Sequence, residues 1–540
     1  MTLTPAQALA LIQSDAAALA SSGSVTAYTT LNTDMANYQS DAALMDPNGL
    51  NNVLNTFVAG DTQLAYVAQG LANFMTTYGA YVPAAGLTND MSTLVTKGSD
   101  VAAEGIWDHL TSAQVQQLDN TAPGMDVTFS NLISYNASSS TVSDFMTHVG
   151  AEVDSGTIAA GMVNVTDIST PNFAVVQAIV DNLSAAQISG LANNQTQLDG
   201  VLLNLTANSY TTPALQTAQT AAVSALMTHV GSDIGFEVIA TDMADMVTQQ
   251  TTPNVAALKA IVDNLTPGQE AGMGALDATT LGTVLNGLSN GSAAAIAEVP
   301  DFMTHLGNDV APAGIAANIN TLELGSNYTS AKSIWDNITP TQASQLNTND
   351  LNSAFENMLF VNSTAPNMLP PSQAVLNDFM NHLGAYLNMG GVGATMTCLA
   401  GNQLAFDNFS GANNYSELQA IAMSLTPAEV SQISETSLSQ TLSSFAYAVS
   451  SSTVTQTSME LTVADFIEHV GAQMFANDPT GKDIVTGLHA LIAENNALGL
   501  GGATSIVHYL DSTSSSEQTT IFNDLSSSDK AYLTAHHLNV

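Results

Sequence analysis

One seven-residue block recurs along the chain and constrains its fold more than any other feature of the sequence. The block reads DFMTHVG at Asp144–Gly150, and variants of it occupy Ala225–Gly231, Asp301–Gly307, Asp378–Gly384 and Asp465–Gly471. A degenerate form, NFMTTYG, lies at Asn73–Gly79. The five histidines of the block are 81, 76, 77 and 87 residues apart. A period near 80 residues predicts an array of structural repeats rather than a set of unrelated domains.

A second block recurs in fixed phase with the first. It centres on an aspartate 31 to 34 residues after the histidine position, found at Asp108, Asp181, Asp263 and Asp336. A Ser/Thr-x-x-Gln signature follows, as in Ser184 to Gln187, and this pattern is typical of a helix that begins with a capping box. Related Thr-Pro sequences predict further helix starts at Thr4, Thr266, Thr339 and Thr426. Because the two blocks keep a nearly constant spacing, both belong to the same structural repeat.

The periodicity within a repeat is helical. In the copy that starts near Thr141, Phe145 and Val149 begin an apolar stripe, and Thr141 with Asp144 predicts a capping box. Gly156 and Gly161 are expected to end that helix. Strand patterns are rare. We therefore predict an all-α fold: an array of about six to seven helical repeats of roughly 75–87 residues, about three helices each, elongated and solenoid-like or built of stacked bundles.

The repeat boundaries follow from the two blocks. We expect an N-terminal helical cap at 1–72, a degenerate repeat at 73–140, and full repeats at 141–222, 223–298 and 299–374. A repeat with a Gly-rich insertion, at Asn388 to Gly393, is expected at 375–461. The last segment, 462–540, is expected to be a C-terminal repeat or cap with an export signal.

The charge balance excludes several functions. The chain has 46 Asp and Glu against five Lys and no Arg, a formal net charge of −41. Nucleic acid is excluded as a partner, and an anionic membrane surface is disfavoured, because no basic cluster exists to meet either. The first twenty residues contain no Lys or Arg and predict a helix rather than a cleavable signal peptide. No transmembrane segment is predicted.

The repeated histidines are candidate metal ligands. Asp144, His148 and Glu152 follow the spacing D-x-x-x-H-x-x-x-[D/E], as do Asp301, His305 and Asp309. Imidazole and carboxylate groups four residues apart on a helix form half of a divalent-metal site. The other copies are partial, and their candidate ligands are His229, Asp233, Asp378, His382, Asp465 and His469. The preferred alternative is structural: each aspartate serves a helix N-terminus, and each histidine forms hydrogen bonds within the repeat interface.

No cofactor is predicted, apart from divalent cations such as calcium bound by the carboxylates. The sequence contains no complete catalytic motif, so the chain is predicted not to be an enzyme.

In composition the whole chain resembles bacterial surface-layer proteins and other surface proteins exported by type I secretion. It is acidic, almost free of Lys, Arg and Cys, and rich in Ala, Ser, Thr and Asn. The resemblance implies an uncleaved C-terminal export signal, and the tail from Ser514 to Val540 is compatible with one. The Gly- and Asp-rich calcium nonapeptides common in that group are absent from this sequence.

These observations predict a secreted, self-assembling structural protein that forms an extracellular filament or surface layer through end-to-end contacts of its helical repeats. Its partners would be further copies of itself and a cell-surface or glycan anchor. The alternative is a surface adhesin or a ligand- or metal-binding repeat array. In both cases the expected location is extracellular, at the cell surface.

Overall fold

The computed structural model describes residues 3–118, 124–167, 171–207, 210, 212–248, 254–276, 278–359, 373–400, 411–445, 462–463, 465–471, 473–474, 482–493 and 515–535. Within these ranges every regular element is a helix and no strand is found. The prediction of an all-α, solenoid-like repeat fold is confirmed. None of the described helices is both long enough and apolar enough to span a membrane.

The chain forms two compact units, Met1–Met273 and Gly274–Val540. The helices of the first unit are α1 Pro5–Ser22, α2 Val25–Tyr38, α3 Pro47–Ala59, α4 Ala65–Tyr78, α5 Leu87–Thr96, α6 Asp100–Trp107, α7 Ser112–Leu118, α8 Gly124–Ser134, α9 Ser139–His148, α10 Ser155–Thr166, α11 Phe173–Val180, α12 Ala185–Leu191, α13 Gln195–Thr206, α14 Pro213–Val230, α15 Phe236–Thr248 and α16 Val255–Val262. The next helix, α17 Pro267–Leu276, includes the residues at which the division falls.

The helices of the second unit are α18 Ala278–Ser289, α19 Ala293–Ala297, α20 Val299–Leu306, α21 Ile315–Leu324, α22 Tyr328–Asp336, α23 Pro340–Ala343, α24 Thr348–Leu359, α25 Gln373–Leu383, α26 Met389–Ala400, α27 Gly411–Ser424, α28 Pro427–Val430, α29 Glu435–Ser444, α30 Lys482–Ala493, α31 Ser515–Asp524 and α32 Ser527–Ala535. Short 3₁₀ helices lie at Gln39–Leu44, Gly79–Tyr81, Gly150–Glu152, Ala192–Asn194, Gly231–Asp233, Gly307–Asp309 and Gly384–Tyr386.

Two rows of helices run through each unit. In the first unit, the helices that carry the sequence blocks pack on one another in the order α4, α6, α9, α11, α14 and α16, and we call these the A helices. The helices between them pack in a parallel order of α3, α5, α8, α10, α13 and α15, and we call these the B helices. In the second unit the A helices are α20, α22, α25 and α27. Each 80-residue repeat thus holds two A/B pairs, which is more than the three helices expected.

The start of α9 differs from the expected one. Ser138 is the N-cap residue, and its hydroxyl accepts a hydrogen bond from the Thr141 backbone N–H at 3.1 Å. The predicted Thr141–Asp144 capping box is therefore not formed, and Asp144 lies inside the helix. The next helix, α10, begins only after a 3₁₀ turn and is capped by Asp154. Gly156 and Gly161 lie within α10 rather than at the end of α9, because the turn at Gly150 has already ended that helix.

The Gly-rich stretch Asn388 to Gly393 is the start of α26, which has the same length as α10, 12 residues. It is not an insertion. The extra residues of this repeat come after Ala400: α27 has 14 residues against 8 in the equivalent α11, and the segment 401–410 lies outside the described residues.

In four copies of the repeat, a buried glutamine that follows the second A helix contacts the turn that follows the first. The Gln187 side-chain oxygen accepts a hydrogen bond from the Ser184 backbone N–H at 2.9 Å, which confirms the predicted capping box. Its Nε2 donates to the carbonyl oxygens of Gly150 at 2.6 Å and Val153 at 3.0 Å, in the 3₁₀ turn that follows α9. The same pair of contacts is made by the equivalent glutamines, Gln114, Gln269 and Gln342.

The glycine that ends each block allows the two helices to pack closely. The Met146 side chain lies over Gly150, and a Cβ there would be 3.0 Å from the methionine sulfur. At the equivalent Gly307, a Cβ would lie 2.8 Å from the Asn337 carbonyl oxygen of the next A helix. A larger residue would separate the two helices, so the glycine is fixed by packing.

Candidate metal centre

Two successive A helices of the first unit bring three candidate ligands together. Asp108 follows the last residue of α6, and Asp144 and His148 lie four residues apart on α9. Each of the three residues offers one ligand atom, and these atoms lie within 4.8 Å of one another. The two closest carboxylate oxygens are 3.6 Å (Asp108) and 3.4 Å (Asp144) from His148 Nδ1. We call these three residues the first cluster.

A tryptophan holds Asp144 in place. Trp107 Nε1 donates a hydrogen bond to Asp144 Oδ2 at 2.6 Å, and the Trp107 ring meets Phe145 edge to face at 5.3 Å. Only 1% of Trp107 is exposed, so its N–H needs a partner inside the protein. The bond uses one oxygen of Asp144 and leaves Oδ1 on the side of His148.

The tautomer of His148 is set by the backbone. Its Nδ1 lies 2.9 Å from the carbonyl oxygen of Asp144. A carbonyl can only accept a hydrogen bond, so Nδ1 carries a proton and Nε2 is the nitrogen that would bind a metal. Metal-binding histidines commonly donate their second N–H to a backbone carbonyl in this way. The arrangement also agrees with the structural alternative, in which the histidine forms hydrogen bonds within the repeat interface.

The first cluster carries excess negative charge. Partial burial, together with the neighbouring Asp144 carboxylate, raises the pKa of Asp108 to about 6. Burial also raises the pKa of Glu104, one turn earlier on α6, and the Asp144 and Asp100 carboxylates add to that shift. In the described part of the chain no lysine is paired with these carboxylates. A divalent cation would relieve the repulsion between them.

The second unit contains an equivalent set, Asp336, Asp378 and His382, again with ligand atoms within 4.8 Å of one another. We call it the second cluster. Trp335 Nε1 donates to Asp378 Oδ2 at 2.8 Å, and His382 Nδ1 lies 2.9 Å from the Asp378 carbonyl oxygen. Unlike the first cluster, this one has the ammonium group of Lys332 in contact with both carboxylates.

The other predicted ligands lie in the remaining copies of the block. His229 Nε2 lies 3.6 Å from Asp181, but Ala225 stands at the position of Asp144. His469 Nδ1 lies 3.0 Å from the Asp465 carbonyl oxygen, and the Asp465 side chain accepts a hydrogen bond from Gln419. Asp301 and His305 lie four residues apart on α20. The third ligand of the predicted spacing is displaced onto a 3₁₀ turn in Glu152, Asp233 and Asp309.

Sequence reasoning missed the ligand that comes from the neighbouring helix. Asp108 and Asp336 were visible as the invariant centre of the second block, yet their distance to the histidines depends on how successive A helices stack. The fixed offset between the two blocks was the signal that could have paired them.

Comparisons with known proteins give no family. No family model matches the chain, and no curated protein matches it. Among solved structures, Kap121p bound to Ste12p matches over 99% of this chain and 68% of that chain, with 11% identity and a TM-score of 0.26. Importin beta in an ammonium sulfate condition matches over 98% of this chain and 80% of that chain, with 10% identity and a TM-score of 0.27.

These neighbours are not surface proteins, and the functional prediction made from composition is contradicted. The prediction of a secreted, self-assembling filament or surface layer is wrong, as are its adhesin alternative and the extracellular location. The prediction failed because a low content of Lys, Arg and Cys reflects the solvent-exposed surface of a protein and does not identify its binding partners.

Proposed function

We propose that this chain is a non-catalytic helical-repeat protein that binds a divalent transition-metal cation, such as zinc, at the first cluster. The observation that carries the proposal is the convergence of Asp108, Asp144 and His148 from two helices within 4.8 Å. Three protein ligands leave one position of a tetrahedral zinc site for water or for a further group.

The donor set favours zinc over calcium. Calcium takes six to eight oxygen ligands, whereas the first cluster offers one imidazole and two carboxylates. Imidazole nitrogen suits zinc, copper and nickel. The backbone bond of His148 and the Trp107 bond to Asp144 hold two of the ligands in their orientations before any metal arrives. A site oriented in this way loses less side-chain entropy on binding.

The test is zinc binding by the full-length protein at pH 7, measured by equilibrium dialysis and isothermal titration calorimetry. We expect His148→Ala and Asp144→Asn each to remove one zinc per chain, or to weaken that zinc at least tenfold, because each removes a ligand. His229→Ala is the matched control, since His229 faces Asp181 without a second carboxylate. Zinc binding that is the same in His148→Ala as in the unmodified chain would contradict the proposal.

A further inference from the structure

The two clusters differ in the sign of one neighbouring charge. The residue four places before the block aspartate is Lys332 in the second cluster and Glu104 in the first. Lys332 Nζ lies 2.9 Å from Asp336 Oδ2 and also contacts Asp378 Oδ2. A positively charged group of the chain therefore already lies between the two carboxylates of the second cluster.

Lys332 Nζ also donates a hydrogen bond to Asp336 Oδ1 at 3.0 Å, so its ammonium group is held against the second cluster from both sides. In the described part of the chain no lysine makes such a contact to Asp108 or Asp144.

The Glu104 side chain belongs to the same neighbourhood as the first cluster. Its Oε1 accepts a hydrogen bond from Thr141 Oγ1 at 2.9 Å, which fixes it between α6 and α9. With Asp108 and Asp144 ionised as well, this region holds three negative charges, whereas Asp336, Asp378 and Lys332 together hold one. A bound divalent cation would bring the first region to the same net charge as the second.

We infer that the residue four places before the block aspartate decides which cation each cluster holds. Lys332 is the resident cation of the second cluster and excludes metal from it, while Glu104 leaves the first cluster open and adds charge that attracts a divalent cation. This inference rests on the proposed function, since it concerns the same kind of site. It makes the Asp336, Asp378 and His382 set a metal site blocked by its own chain.

Exchange of the two residues tests the inference. Zinc stoichiometry of the full-length protein is measured by equilibrium dialysis at pH 7 for the unmodified chain, Lys332→Glu and Glu104→Lys, with helical content followed by circular dichroism. We expect Lys332→Glu to bind one more zinc per chain than the unmodified protein. We expect Glu104→Lys to bind one fewer.

Two controls separate charge from position. Lys530→Glu makes the same change in net charge on α32, which carries no residue of either cluster, and should leave the stoichiometry unchanged. The double variant Lys332→Glu/His382→Ala should lose the additional zinc, which places that ion on the second cluster.

The outcomes distinguish this inference from the proposed function. If His148→Ala removes a zinc but Lys332→Glu adds none and Glu104→Lys loses none, the proposed function stands and the inference is overturned. If the unmodified chain binds no zinc through His148, the proposed function itself fails. If Glu104→Lys unfolds the helices, the stoichiometry of Lys332→Glu alone decides the inference.

Discussion

We expect Asp242→Asn to raise the free energy of unfolding at pH 7.5 by roughly 3–5 kcal/mol and to change it little at pH 4. Asp242 lies on α15 with 1% of its surface exposed, and its Oδ2 has no hydrogen-bond partner. Burial raises its pKa to about 8, and the carboxylates of Asp245 and Asp199 add to the shift. The groups that act on the Asp242 pKa include no lysine, so the buried carboxyl is kept neutral by holding its proton.

The direction of the pH dependence follows from the raised pKa. The folded chain keeps the Asp242 proton up to about pH 8, whereas the unfolded chain releases it near its ordinary value of 3.8. The favourable contribution of the neutral carboxyl is therefore complete below about pH 4 and declines as the pH rises, until it is lost near pH 8. An asparagine has no proton to lose, so the gain of the variant over the unmodified chain should grow across this range.

Urea unfolding followed by circular dichroism at pH 4, 6 and 7.5 measures this gain. The matched control is Glu237→Gln, which removes one negative charge from an exposed position on the same helix and should have a small effect at every pH. Glu417→Gln should repeat the result in the second unit, because burial raises the pKa of Glu417 to about 8 and its Oε2 has no partner. A gain from Asp242→Asn that is equal at pH 4 and pH 7.5 would show that Asp242 is not a buried, protonated acid.

The second large effect concerns the buried glutamines. We expect Gln187→Glu to lower the free energy of unfolding at pH 7 by about 2–4 kcal/mol. The carboxylate can still accept the hydrogen bond from Ser184 that closes the capping box. It cannot donate to the carbonyl oxygens of Gly150 and Val153, and it places negative charge against both. The loss of stability therefore reports on the contact between successive A helices, because the capping box at the helix start remains.

One copy of the repeat already has a glutamate at this position. Glu429 occupies the glutamine position of a later copy, where its Oε2 accepts from the Thr426 backbone N–H at 2.6 Å and its Oε1 faces Gly384. Glu429→Gln supplies the missing donor and should stabilise the fold by about 1 kcal/mol. Thermal and urea unfolding of both variants check the pair, with the exposed Gln197→Glu as the control for added charge. Equal stabilities for Gln187→Glu and Gln197→Glu would rule out the joining role of the glutamine.

The amino-acid sequence by itself determined the helical class, the repeat and the starts of several helices. Capping boxes at Ser184 and Thr339 were predicted correctly because each depends on residues three positions apart, and such contacts form within one turn. The four-residue spacing of Asp144 and His148 likewise placed both on one face of a helix. The predicted end of α9 at Gly156 failed, since glycine ends a helix only where the chain must turn, and packing had placed that turn at Gly150.

Only the tertiary structure decided the contacts between successive A helices. Trp107 meets Asp144 across 37 residues, Gln187 meets Gly150 across the same number, and Lys332 meets Asp378 across 46. Stacking of the A helices fixes these distances, and local periodicity contains no information about stacking. The same reason explains why Asp108 was not recognised as a ligand and why the burial of Asp242 and Glu417 was not foreseen. A side chain's partner and its exposure are properties of the packed array.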